Sequence, residues 1–182
     1  MSQALKTSYI ETLRPKLQKE LGLDNLNAVP KLTKITINTS SRDFKNDKEF
    51  LEKTKNWFSS ITGQAPSLRR SKTSIAAFNL REGDVVGMTC TLRGDRCYDF
   101  FQKLTAVVLP RIKDFQGVSR TAFDQQGSYT IGLREQIVFP EVEYDKIGRI
   151  QGLEITISST ANNKEQAFAL LQILGMPFAK PN

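Results

Sequence analysis

Lys31-Leu32-Thr33-Lys34-Ile35-Thr36-Ile37-Asn38 alternates apolar and polar residues, the period-two signature of a strand with one buried and one wet face. The alternation puts Thr33, Ile35 and Ile37 on one side and Lys34, Thr36 and Asn38 on the other. Gly87–Leu92 repeats it, with Thr89 and Thr91 facing one way and Met88, Cys90 and Leu92 the other. If helices cover the apolar rows, Lys34, Thr36, Asn38, Thr89 and Thr91 form a polar sheet face. A solvated face is the ordinary reason for such alternation. Short hydroxyl and amide groups on a rigid sheet also suit the phosphate and ribose oxygens of RNA.

Helical periodicity flanks these strands. A first helix is expected from Gln3 to Leu21, with Pro15 kinking it, since proline removes a backbone donor and clashes one turn back. A second begins with Asn46 and Glu49 as a capping box, carries Phe50, Leu51, Thr54, Trp57, Phe58 and Ile61 on one face, and stops at Gly63. A third runs from Arg96 to Leu109 and ends or bends at Pro110. A fourth starts at the cap Asn163 and stops at Gly175. Further strands are expected at Ser74–Leu80, Ser128–Leu133 and Glu154–Ser159, with Arg81-Glu82-Gly83-Asp84 as the hairpin turn into Gly87–Leu92. Residues 116–127 are polar and contain glycine, a loop long enough to suggest a task. No repeat, low-complexity tract or linker interrupts the chain. The order α-β-α-β-β-α-β-β-α predicts one α+β domain spanning residues 1–182, a mainly antiparallel sheet of about five strands with helices packed on one face.

Charge locates the surface that meets a partner. The 182 residues carry 26 Lys and Arg against 19 Asp and Glu, a formal charge of +7. Residues 1–100 hold 17 basic and 11 acidic groups, and residues 101–182 hold 9 and 8, so the excess lies in the first half. Residues 53–81 contain six basic side chains, Lys53, Lys55, Arg69, Arg70, Lys72 and Arg81, and no acid. The stretch crosses turn signals at Gly63 and Pro66, which argues for exposed loop. A polyanion fits it, because each neutralised phosphate releases counterions. Leu68–Ser74 mixes basic and hydroxyl residues in the composition that phosphate backbones need.

Several function classes fall away. With no histidine, every Ser-His, Cys-His and His-metal arrangement is excluded. Cys90 and Cys97 form no close metal pair and fit a reducing compartment. Cys97 reads as a small buried residue. The longest apolar run, Ala106-Val107-Val108-Leu109, is too short to span a bilayer, and the mixed N-terminus is unlike a secretory signal. Trp57, Phe58, Phe100 and Phe101 stand at helical spacing and read as core rather than stacking platforms. Glu141, Glu143 and Asp145 read as a solvated acidic loop rather than a catalytic carboxylate pair. No catalytic residue, metal ligand set, cofactor or small-molecule substrate is assigned.

Six segments carry a resemblance: VPKLTKITIN (29–38), ITGQAP (61–66), TLRGDR (91–96), LPRIKDFQGVS (109–119), AFDQQGSYTIGLREQIVFPE (122–141) and LLQILGMPF (170–178). In order and without large insertion, they resemble the large-subunit ribosomal protein L-five family in its bacterial and organellar form. The resemblance implies a non-enzymatic protein that binds 5S rRNA through its sheet face and helps form the central protuberance beside large-subunit rRNA and other large-subunit proteins. It also implies a basic loop reaching P-site tRNA and a bridge to small-subunit protein thirteen.

On this chain the implied 5S contacts are Lys34, Asn38, Gln64 and Thr91, with Phe78 at a matching aromatic position. The implied tRNA loop holds Arg69, Arg70 and Lys72. The implied bridge holds Arg111, Lys113 and Phe115, together with the acidic segment 142–146 carrying Glu143 and Asp145. Thr73 and Asn79 stand where many members carry lysine, and Asp84 and Val85 replace an aromatic-proline or methionine-proline pair, so the tRNA loop is less basic than usual. The implied location is a ribosome in a bacterial cytoplasm, a mitochondrial matrix or a plastid stroma, the clean N-terminus favouring a bacterial or organelle-encoded product. The competing expectation is a free RNA-binding factor outside the ribosome.

Overall fold

The structure, a computed structural model, describes residues 5–180. The sheet has five strands in the order β2-β3-β1-β5-β4: β1 Leu32–Ser40, β2 Ser67–Arg70, β3 Val85–Arg93, β4 Tyr129–Leu133 and β5 Leu153–Ser159. Neighbours run antiparallel. Strand β2 pairs with β3 from Ser67↔Thr89 to Arg70↔Val85, with an irregularity between Arg69 and Arg70. At the start of β1, the N–H of Thr160 donates to the carbonyl of Lys31 at 3.0 Å, while at its far end the Thr39 hydroxyl donates to the carbonyl of Gly152 at 2.9 Å.

By contact the chain divides into two compact units. One comprises the chain up to Ile35, Leu92–Ile131 and the chain from Thr156 onward; the other comprises Thr36–Thr91 and Gly132–Ile155. Here they are called the terminal and the middle unit. The core row of β1 is Ile35, Ile37 and Thr39, all buried. Thr33 is exposed although strict alternation assigned it to that row, while Leu32 is buried, so regular alternation begins at Lys34. Met88, Cys90 and Leu92 of β3 and Leu153, Ile155 and Ile157 of β5 are buried as their spacing requires.

In the terminal unit, helix α1 (Leu5–Ser8), a π turn (Tyr9–Leu13) and helix α2 (Arg14–Glu20) follow one another without a break. Gln3 lies outside the described residues. The π turn widens the helix just before Pro15, which then occupies the first turn of α2, where a missing N–H costs least. Burial of Tyr9 and Leu17 contributes about 1.5–3 kcal/mol each. That is comparable with the roughly 3 kcal/mol an interior proline costs, so the helix continues instead of ending. Helix α4 (Asp95–Lys103) repeats the device, with a π turn (Leu104–Val108) leading into a 3-10 turn (Leu109–Arg111) that seats Pro110. Helix α5 (Lys164–Ile173) is capped as expected, the Asn163 side chain accepting the N–H of Gln166 at 2.9 Å.

Phe123, Tyr129, Phe168 and Phe178 form an aromatic cluster, with ring centroids 4.6 Å apart for Phe123–Tyr129 and for Phe168–Phe178. Gly117 lets the 116–127 loop close on it, since a Cβ there would lie 2.5 Å from the backbone nitrogen of Ala179. Cys97 is fully buried, and burial pushes its thiol up to about 12. Such burial fits its reading as a packing residue.

In the middle unit, helix α3 (Lys48–Thr62) buries Phe50, Thr54, Trp57, Phe58, Ile61 and Thr62. Its cap is Asp47 rather than Asn46: the Asp47 carboxylate accepts the N–H of Phe50 at 2.9 Å, placing the start one residue later. The short Arg42–Lys45 turn seats the buried Phe44 against Phe50 and fixes that entry. Gly63 ends the helix with φ 66°, a left-handed conformation glycine adopts without strain.

The segment Ser74–Leu80 is not a strand. It is a 3-10 turn (Ala76–Phe78) closed by a single Ile75–Leu80 bridge, and its apolar side chains face outward. The strand that pairs with β3 is Ser67–Arg70, expected as loop. The Arg81–Asp84 turn does form, the N–H of Asp84 donating to Arg81 at 3.1 Å, but it closes the long 71–84 excursion of the β2–β3 hairpin rather than joining two strands directly.

Candidate nucleic-acid interface

The outward row of the middle unit starts from β1, where Thr36 and Asn38 are half-buried between buried neighbours. On β3, Thr91 is likewise half-buried, but Thr89 is only 7% exposed and its hydroxyl donates to the carbonyl of Ile37 at 3.1 Å. Thr89 therefore ties two strands together and offers no free group. Gln64, just past the end of α3, directs its side-chain amide at the carbonyl of Thr91 at 3.5 Å. Asn38, Thr91 and Gln64 thus stand on adjoining elements of one unit. Lys34 lies at the other end of β1, in the terminal unit.

Glu154, on β5, is a feature the pattern did not reveal. Its carboxylate accepts from the Asn38 amide at 3.3 Å. Glu154 is exposed, so it places a negative charge on this row. Sequence alternation marks Glu154 as outward, but pairing across strands is invisible until the register is known.

Arg69 and Arg70 are on strand β2, not in the loop, and all four residues of that strand are exposed. The Arg70 guanidinium donates to the carbonyl of Gly83 at 2.8 Å, and the N–H of Ser71 to Asp84 at 2.8 Å, which closes the neck of the 71–84 excursion. Lys72 and Phe78 project from the excursion, Phe78 being 54% exposed. Arg42 stacks its guanidinium over the Phe78 ring at 5.2 Å, and Lys45 donates to the carbonyl of Asn79, whose φ of 49° turns the loop. Neither Arg42 nor Lys45 was singled out from sequence, because Asp43, Asp47 and Glu49 intersperse with them. In the fold, Asp43 pairs with Arg149 and Asp47 caps α3, so local neutrality in sequence becomes a basic rim in space.

The expected bridge residues are divided between the units. Arg111 and Lys113 are exposed and Phe115 half-buried in the terminal unit, whereas Glu143 and Asp145 belong to the middle unit. Glu143 and Asp145 line a cleft of about 380 Å³ with Glu141, Lys53, Asn56 and Trp57. Trp57 is 5% exposed, and its Nε1–H is buried without a hydrogen-bond acceptor. Trp57, Phe58, Phe100 and Phe101 are all buried, as core residues.

The fold defines an α+β protein with a basic hairpin beside a partly exposed polar strand row, and comparison with known proteins gives its family. The profile described as ribosomal protein L5 matches residues 25–81, and that of the ribosomal L5P family C-terminus matches residues 85–178. The chain is 49% identical over 178 residues to the large ribosomal subunit protein uL5 of Microcystis aeruginosa, covering 98% of this chain and 99% of the relative. It is 47% identical to uL5 of Mesoplasma florum, over 99% of this chain and 100% of that one. The uL5c protein of Gracilaria tenuistipitata is also 47% identical, over 98% and 99%. The chain belongs to the ribosomal protein L5 family, and it is not an enzyme.

Proposed function

We propose that the chain, a structural constituent of the large ribosomal subunit, binds 5S rRNA through the outward row of its sheet. Asn38, Thr91 and Gln64 supply the central hydrogen bonds, Lys34 extends the row along β1, and Phe78 flanks it. The observation that carries this reading is the row itself: polar side chains of β1 and β3 that keep partial exposure between buried neighbours, beside a basic hairpin. Rigid strands hold the donors in place before binding, so few of them lose freedom on contact.

In the same proposal the 71–84 excursion, with Arg69, Arg70 and Lys72 at and beyond its neck, reaches P-site tRNA. Glu143 and Asp145, with Arg111, Lys113 and Phe115, meet small-subunit protein thirteen; the acidic cleft suits a basic partner. Large-subunit rRNA and neighbouring large-subunit proteins complete the surroundings in the central protuberance. In this reading residues 1–182 act as one domain, each unit being assembled from separated stretches of sequence. The ribosome concerned is that of a bacterial cytoplasm, a mitochondrial matrix or a plastid stroma.

A gel-shift titration against 5S rRNA, with tRNA as competitor and at several salt concentrations, tests the reading. Saturable binding that tRNA does not displace is expected. Binding to both RNAs with equal affinity and equal salt dependence would sink it.

A further inference from the structure

The 116–127 loop of the terminal unit is held in two different ways. Its second half is a tight turn into β4. The N–H of Asp124 donates to the carbonyl of Ser128 at 2.9 Å, and the Asp124 carboxylate accepts the N–H groups of Gln126 and Ser128 at 2.9 and 2.7 Å. Its first half leans instead on residues 176–179, just beyond α5. There the N–H of Val118 donates to the carbonyl of Pro177 at 2.8 Å, and the N–H of Ala179 to the carbonyl of Val118 at 3.0 Å, an isolated parallel bridge outside the sheet. We propose that residues 176–179 form a strap that opens and closes as one unit over the first half of this loop, which is ordered only while the strap is shut.

The strap is anchored at its start. The N–H of Met176 donates to the carbonyl of Leu171 at 3.0 Å, and the Met176 side chain is buried. Beyond it, Phe178 is half-buried and closes the aromatic cluster, its ring centroid 6.1 Å from Phe123, 5.8 Å from Tyr129 and 4.6 Å from Phe168. The same rings serve the loop: the Tyr129 hydroxyl donates to the carbonyl of Ser119, and the Arg120 guanidinium lies over Phe168 at 5.1 Å. Strap and loop therefore hold each other through one shared platform. Two backbone bonds and a partly exposed ring are thin support beside β5, which has a strand on each side. Elements with so few buried contacts open before the core does. The fit is close, because Gly117, at φ 105°, would place a Cβ 2.5 Å from the Ala179 nitrogen. Opening uncovers Phe123 and Phe168 and releases Arg120, while the Asp124 turn stays formed.

Hydrogen exchange on the full-length chain, with neither RNA nor partner present, reads the strap directly. The amides of Val118 and Ala179 are expected to show matching protection, at least about a hundredfold below that of the β5 amides. Limited digestion with trypsin then follows the peptide bond after Arg120. Phe178→Ala and Gly117→Ala, from opposite sides of the contact, are each expected to speed that cut by roughly tenfold, since cutting tracks the open population. Cutting after Arg149, in the middle unit, is the reference and is expected to keep the parent rate. Combining the two changes is expected to add little, because both open the same strap. Protection at Val118 and Ala179 equal to that of β5 overturns the proposal, since the strap then opens only with the whole fold. So do rate increases that multiply in the double variant, which would mean two independent effects. If Gly117→Ala does not fold, the exchange measurement and Phe178→Ala still decide.

Discussion

Two clefts of the middle unit are nearly equal in size, about 380 and 400 Å³, and opposite in character. One is rimmed by Glu141, Glu143 and Asp145 over a buried Trp57; the other by Arg42 and Lys45 beside an exposed Phe78. Size therefore does not separate the two as candidates. Under the proposed function the sign of the charge does, because a phosphate chain would be drawn to one rim and held off by the other. The treatment of the aromatic residue differs in parallel: the ring in the acidic cleft is core, and the ring in the basic cleft is presented.

The contrast breaks most directly at the sheet row next to the basic cleft. Combining Asn38→Ala with Thr91→Val should weaken 5S rRNA binding, each change costing about 1–3 kcal/mol by leaving RNA polar groups unpaired. Glu143→Lys with Asp145→Lys should leave that affinity intact or slightly raised, so isothermal titration of both variants separates the faces. The same charge reversal should cost at least about tenfold in binding a basic partner such as small-subunit protein thirteen. A pull-down that shows no loss removes the acidic cleft from the bridge.

Arg69→Gln and Lys72→Gln should each lower the salt slope of tRNA binding by about one while sparing 5S affinity. Filter binding over a range of salt reads this out. Arg70→Gln should do more than either, because it also releases the Gly83 carbonyl at the loop neck. The smallest effect belongs to Trp57→Phe. Removing an unsatisfied N–H relieves about 1–3 kcal/mol, against a comparable loss of buried apolar area, so urea denaturation should shift by no more than about 1 kcal/mol. Trp57 is the only tryptophan. Its fluorescence should respond to a basic protein in the acidic cleft and stay constant on adding RNA.

Elements with strong periodicity and a defined stop were legible in the sequence: α3 up to Gly63, α5 from Asn163, and strands β1, β3 and β5. Strand β2 was not, because an edge strand of serine, leucine and two arginines buries nothing, and its charges serve to discourage further pairing. Ser74–Leu80 misled for the converse reason. Its apolar residues, which pattern reads as inward, are displayed on a turn. The π turns ahead of Pro15 and Pro110 register nothing in composition, since they are the backbone's response to a proline inside a helix worth keeping. At the candidate site, alternation put Lys34, Thr36, Asn38, Thr89 and Thr91 on one face and the resemblance singled out Lys34, Asn38 and Thr91 among them, whereas the loss of Thr89 to a backbone carbonyl and the arrival of Glu154 beside Asn38 depend on strand register. Arg42 stayed hidden because neighbouring acids cancel it on paper and are engaged elsewhere in the fold.

Because the terminal unit gathers Leu92–Ile131 and the stretch from Thr156 onward around the earliest helices, those helices leave the translating ribosome long before their packing partners exist. At roughly 5–20 residues per second the wait is on the order of ten seconds. During it Tyr9 and Leu17 have no late-made neighbour to cover them. Nascent chains of this kind should be caught by hydrophobic-surface chaperones early in elongation and let go abruptly near its end.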